Sequence, residues 1–175
     1  VIRVVEKWVQ KIVQKEGDSV DHPCVVKAAF TGCAATNIEA TTLHSAFGFS
    51  FSNKHFSLSD KTRDKKKTST KNTVLIIIDE ISMVSADQLY MLDLRLQELK
   101  ERVGTVFGGV GVMVLGDLMQ LKRIQGRMVF DIPTNPDFQA THALDPRWKK
   151  FQSVLLEKNH RQGQDGIYAD ILNRV

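Results

Sequence analysis

Two adjacent carboxylates, Asp79 and Glu80, close the run Val74-Leu75-Ile76-Ile77-Ile78. Four of those five apolar residues are β-branched. Such a run reads as a strand buried on both faces, the kind found in parallel sheets. Ligands of these sheets sit beyond the carboxyl ends of the strands. Asp79 therefore stands where a divalent cation would be held, directly or through water. Glu80 stands where a carboxylate could orient or deprotonate an attacking water. The plainer alternative is that both residues merely end a core strand and supply charge to the next helix. Residues further along the chain weigh against it.

A second apolar run, Val110-Gly111-Val112-Met113-Val114-Leu115, leads into Gly116-Asp117-Leu118-Met119-Gln120-Leu121. Gly116 lets the backbone turn close to a ligand. Gln120 carries a donor and an acceptor, so it can sense a γ-phosphate or hold a water. A third run, Ser153-Val154-Leu155-Leu156-Glu157, leads into Asn159-His160-Arg161-Gln162. Arg161 could reach a transferring phosphoryl group. Each of three expected strand ends thus carries one part of an ATPase.

With these residues in view, the chain resembles a known family. Ile78-Asp79-Glu80-Ile81-Ser82-Met83, Gly116 to Leu121, and Asn159 to Gln162 look like motifs II, III and IV of superfamily-one DNA helicases. The resemblance is to the Pif-type 5′→3′ group and its Helitron relatives. Thr31-Gly32-Cys33-Ala34-Ala35-Thr36-Asn37-Ile38, with Thr42-Leu43-His44-Ser45-Ala46-Phe47-Gly48, is similar to that group's motif Ia.

The resemblance implies an α/β fold: a partial RecA-like motor domain over residues 1 to 175, its parallel sheet flanked by helices. It implies ATP and Mg²⁺ as cofactors, with Asp79 on the metal. Glu80, Gln120 and Arg161 would be the catalytic and nucleotide-binding groups. It also implies single-stranded DNA and duplex or forked DNA as partners. Thr31, Asn37, His44 and Phe47 would form the DNA-binding set, because single-strand channels combine phosphate contacts with aromatic stacking. On composition alone, Phe47 is as readily a core residue and His44 a structural histidine. Family processes would be DNA repair, recombination and telomere maintenance. Two departures stand out. Lys122-Arg123 replace the usual two prolines after motif III, and Ala40 replaces a glycine after Asn37-Ile38.

The elements that must position these residues are legible as patterns. Val1, Ile2, Val5, Trp8, Val9, Ile12 and Val13 form a helical apolar stripe over about 1 to 16, ended by Gly17. Val25 to Phe30 reads as a strand. Ser85 and Gln88 form a capping box. It opens a helix with Leu89, Leu92, Leu96, Leu99 and Val103 on one face, closed by Gly104. Strands alternating with helices argue for a parallel sheet.

Composition is that of a globular domain: 175 residues, 42% hydrophobic and 25% charged. No apolar run reaches the roughly 18 residues a membrane helix needs, and no signal-peptide pattern is present. Cys24 and Cys33 form no ligand pattern and read as reduced thiols of an intracellular protein; the resemblance implies a nuclear or mitochondrial place if eukaryotic. No GxxxxGK[ST] string occurs. With a helix already in stride at Val1 and a helical pattern still running at Val175, this suggests a chain cut from a longer one; the resemblance implies that the nucleotide-binding loop and a second RecA-like domain are what it lacks. The alternative is a degenerate, transposon-derived fragment acting as a single-stranded nucleic-acid binding module.

Residues 50 to 73 read as a basic Ser/Lys-rich insertion. Asp60 to Lys71 holds six basic residues against two acidic ones, a net of +4 that matches the whole chain. The expectation is a solvated, mobile loop. The alternative is a phosphate-contacting arm with sequence-blind, salt-dependent affinity.

Overall fold

The computed structural model describes residues 1–13, 22–49, 57–119 and 127–156. In chain order these form α1 (Ile2–Val13), β1 (Val25–Ala29), α2 (Gly32–Asn37), β2 (Thr41–Thr42), α3 (Leu43–Phe47) and α4 (Asp60–Ser69). Then come β3 (Leu75–Asp79), a 3₁₀ turn (Ile81–Met83), α5 (Ala86–Lys100) and a second 3₁₀ turn (Val106–Gly109). The last are β4 (Gly111–Val114), α6 (Pro136–Leu144) and a third 3₁₀ turn (Arg147–Lys150). The four strands make one parallel sheet in the order β2-β1-β3-β4.

The β3 run is buried on both faces, as its β-branched composition predicts. Ile76, Ile77 and Ile78 are all 0% exposed. Alternation sends Ile76 and Ile78 toward α5, where Leu89, Leu92 and Leu96 pack. It sends Ile77 the other way, toward Val9 of α1. The result is a sheet with one helical layer on each face.

Helix α5 starts where expected. Ser85 and Gln88 make both halves of the capping box. It stops earlier than expected: Glu101 takes the left-handed cap (φ 55), and Val103 is 90% exposed. An apolar residue past the last helical turn has no face to join. The apolar arc of α1 is also wider than its cover. Ile2, Val5 and Val9 pack on the sheet, whereas Val4, Trp8 and Ile12 stay exposed.

Two other expectations are corrected. Residues 60–69 of the basic stretch form α4 rather than a loop. A 3.6-residue turn places Lys66 and Thr70 against neighbouring elements, contacts that composition cannot reveal. Residues 153–156 form no strand, and Val154, Leu155 and Leu156 are exposed. An apolar run becomes a strand only when a ladder partner is available. Glu157, where that strand was to end, lies outside the described residues.

A buried polar network ties the segment after β4 to α5. Asp87 accepts hydrogen bonds from the Thr134 N–H (3.1 Å), the Thr134 hydroxyl (2.6 Å) and the Asn135 N–H (2.8 Å). Asp93, 1% exposed, accepts from the Phe107 N–H and pairs with Arg147 Nε at 2.6 Å. Tyr90 stacks on Phe138, accepts from the Arg147 N–H and bonds His142. Burial raises the Tyr90 phenol above its ordinary pKa of 10.0, outweighing the hydrogen bond from Arg147. A phenol that ionises more easily unfolded than folded contributes stability below pH about 10, lost as the pH rises through the folded value. Tyr90→Phe should therefore flatten the alkaline limb of a stability–pH curve, measured by chemical denaturation from pH 8 upward. An alkaline limb unchanged in that variant would remove Tyr90 as its source.

Candidate functional site

All four strands run the same way, so their carboxyl ends share one edge of the sheet. At this edge β1 continues into Phe30-Thr31, β3 into Asp79-Glu80 and β4 into Leu115-Gly116-Asp117. Asp79 is in register with Ala29. Among the described residues neither the Asp79 nor the Glu80 carboxylate has a hydrogen bond or ion pair, and both residues are half-buried. Two neighbouring carboxylates with no cation of their own suit a hard divalent ion, which commonly takes one or two carboxylates plus substrate phosphates.

Glu80 is held in the left-handed region, at φ 55 and ψ 50. For a non-glycine residue this costs about 1 kcal/mol. The backbone gains two contacts from it. The Ile81 N–H reaches the Leu115 carbonyl at 2.9 Å, and the Met83 N–H returns to the Glu80 carbonyl at 3.0 Å. The strain therefore locks the ends of β3 and β4 together. Strained backbone of this kind concentrates at functional sites.

Gly116 completes the lock. It has φ 149, and a Cβ there would lie 2.9 Å from the Ile81 nitrogen. No side chain fits without parting the two strand ends. Gly116→Ala is expected to destabilise the fold by about 1–3 kcal/mol, the scale of one strained residue. Gly32→Ala, with nothing within 4 Å of its Cβ, is the control. Equal denaturation midpoints for the two variants would show that this close approach does not matter.

Just past Gly116, Asp117 accepts from the Met119 N–H at 2.9 Å, which starts a turn. Gln120 and Arg161 lie outside the described residues, as do Lys122 and Arg123. Of the four side chains expected to converge on one crevice, only Asp79 and Glu80 belong to the described residues.

The motif Ia-like segment wraps the β1 and β2 side of the same edge. The Thr31 hydroxyl caps α2 by accepting from the Ala34 N–H at 3.1 Å, and Thr42 caps α3 through the Ser45 N–H at 3.2 Å. Asn37, at the end of α2, is exposed. His44 is half-buried, edge-on to Phe30 and Phe49 with ring centroids 5.9 and 6.1 Å away. Phe47 is corrected: it is 0% exposed within the core cluster, and Phe49 is buried with it. A ring fully buried in that apolar cluster offers no face to a base. The Ala40 departure has a simple outcome. Glu39 takes the left-handed turn (φ 54), so position 40 needs no glycine. Cys24 is buried and Cys33 exposed, and both are free thiols.

A cavity of about 690 Å³ lies elsewhere, near the amino end of β3. Its walls include His22, Lys67, Lys71, Lys100 and Glu101. The Lys100 ammonium donates to the carbonyls of Thr70 (2.7 Å), Lys71 (3.1 Å) and Thr73 (2.8 Å). Burial pushes its pKa below the ordinary 10.5. Lys67 pairs with Glu101. These cations complement the carboxyl ends of α4 and α5, so the cavity is a product of helix capping. No group of three or more potential metal ligands occurs among the described residues. None of their helices is long and apolar enough to cross a membrane.

Comparison with known proteins bears on this edge of the sheet. A family model described as PIF1-like helicase matches residues 8–173. The ATP-dependent DNA helicase PIF1 of Candida albicans is 32% identical over 157 residues, covering 86% of this chain and 17% of that protein. The crystal structure of a Pif1 helicase from Candida albicans superposes with a TM-score of 0.72 at 26% identity, over 99% of this chain and 36% of that one. A Pif1 helicase from Bacteroides, solved with ADP-AlF3 and ssDNA, gives a TM-score of 0.51 at 33% identity, over 69% of this chain and 27% of that one. The chain spans 17% to 24% of the length of the first curated relatives it matches.

Proposed function

Because this chain belongs to the PIF1-like helicase family, we propose that it forms part of an ATP-dependent DNA helicase motor, contributing the metal-binding and water-activating carboxylates and one side of a DNA path. The observation that carries the reading is Glu80. A strained carboxylate with no partner among the described residues, next to an equally unpartnered Asp79, stands at the carboxyl edge of a parallel sheet.

The chemistry assigned to each residue follows from charge and position. Asp79 would hold Mg²⁺, directly or through water. Mg²⁺ and ATP, when bound, supply a transferable γ-phosphoryl group with its charge neutralised. Glu80 accepts a proton from the attacking water at its carboxylate. Gln120 would contact the γ-phosphate and report its loss toward the DNA side. Arg161 would stabilise charge in the transition state. These last two assignments rest on their motif strings alone.

For DNA, the supported contacts are polar. Thr31, Asn37 and His44 line the segment next to the carboxylates, and Asn37 is open to solvent. Single-stranded and forked DNA are the proposed partners, with 5′→3′ movement and a place in repair, recombination or telomere maintenance. Intracellular placement follows, nuclear or mitochondrial in a eukaryote. The Bacteroides relative, crystallised with ADP-AlF3 and ssDNA, supports the pairing of a nucleotide with a single strand.

The test is an unwinding assay on a protein joining this segment to a phosphate-binding loop and a second motor domain. Forks with only a 5′ or only a 3′ single-stranded arm separate the two directions. DNA-stimulated ATP hydrolysis with unwinding from the 5′ arm is expected. Binding of single strands without any turnover would favour a non-catalytic binding module.

A further inference from the structure

We propose that Lys66 is a positioning residue that holds the segment Thr42–Phe49 in its working conformation, and so acts on nucleic-acid binding without meeting a phosphate. The inference rests on the nucleic-acid reading of that segment and deepens it.

The basic run Lys65-Lys66-Lys67 does not act as one patch. Lys67 pairs with Glu101. Lys65 is exposed with no partner among the described residues. Lys66 turns inward. Its ammonium donates to the Ser45 carbonyl at 2.6 Å and to the Ala46 carbonyl at 2.9 Å. These belong to the last turn of α3, where carbonyls have no partner within the helix. Two further amides, those of Gly48 and Phe49, both close on the His44 carbonyl. Backbone amides thus engage the first carbonyl of this turn and Lys66 the next two.

The stem of Lys66 has a role as well. Gly48 adopts φ 66, and a Cβ there would meet Leu58 Cδ2 at 2.7 Å and Lys66 Cε at 3.1 Å. The lysine methylenes therefore lie across the turn that ends α3. Burial, with Arg95 and Lys65 nearby, holds the Lys66 ammonium below its ordinary pKa. A solvated lysine on a mobile loop would have none of these features. α3 has only five residues, too few to be stable unaided. Its conformation depends on its caps: Thr42 at one end, Gly48 and Lys66 at the other.

The experiment compares Lys66→Met, Lys66→Arg and Lys65→Ser in this chain by two readouts. The first is amide hydrogen exchange at Gly48 and Phe49. The second is affinity for a fixed-length single-stranded DNA across a salt series. Lys66→Met keeps the stem and loses the donors. It should speed exchange at both amides by about tenfold, the scale of lost charged hydrogen bonds. It should weaken DNA binding while the salt slope stays unchanged. Lys66→Arg, which keeps donors, should restore both. Lys65→Ser should leave exchange alone; if it meets a phosphate, the slope shrinks by about 0.7.

Unchanged exchange in Lys66→Met overturns the proposal, whatever the DNA does. A salt slope that shrinks in Lys66→Met also overturns it, by making Lys66 a phosphate contact. Faster exchange with no DNA binding by the wild-type chain upholds the brace and removes the nucleic-acid reading instead.

Discussion

Replacing Glu80 with Gln is expected to lower ATP turnover by at least ~100-fold, the scale of losing a general base. The measurement uses a protein in which this segment is joined to a phosphate-binding loop and a second motor domain. Nucleotide should still bind, because Gln keeps the shape and Asp79, proposed above to hold the metal, is unchanged. The backbone should tolerate the change, since Gln meets the same left-handed cost at φ 55 as Glu does. The 175-residue chain alone should hydrolyse little ATP, because no GxxxxGK[ST] string is present to cradle phosphates. Near-normal turnover in Glu80→Gln would take Glu80 out of the mechanism and leave the strain at this position without a catalytic reason.

The second large effect concerns stability. Asp93→Ala should cost about 3–5 kcal/mol, the penalty for stranding one partner of a buried ion pair. Asp93 is 1% exposed, and its removal leaves the buried Arg147 guanidinium, among the described residues, with only Asp145 as a carboxylate partner. It also leaves the Phe107 N–H without its acceptor. Domains of this size are stable by only about 5–15 kcal/mol, so the variant should sit close to unfolding. Asp93→Leu combined with Arg147→Met should recover much of the loss, because no charge is then left unpaired. Urea denaturation of the two variants measures this. An Asp93→Ala midpoint near that of the parent chain would mean that water reaches Arg147 and screens it.

These two sites differ in how far the sequence reveals them. Asp79 and Glu80 are visible because a buried parallel strand has a composition of its own, and the residues that end it inherit a position from the fold class. The capping box at Ser85 and Gln88 is visible for a similar reason, since its bonds span only three residues. Local rules of this kind operate within one element, and the chain carries them in its order.

What required the tertiary structure is contact between elements distant in sequence. Lys66 belongs to a run that composition describes only as charged, yet it caps a helix some twenty residues earlier. Phe47 sits in a motif-like string beside polar residues, and burial in the cluster between sheet and helices makes it core. Val154, Leu155 and Leu156 have the composition of a strand, but a strand also requires a partner ladder. The chain by itself determined which residues end the central strands, and hence where chemistry would be placed. The packing of helices on the sheet decided which cations are engaged and which rings are hidden, and the joining of the β3 and β4 ends decided why Glu80 is strained. Those outcomes depend on distances between elements, and hydrophobic periodicity carries no information about such distances.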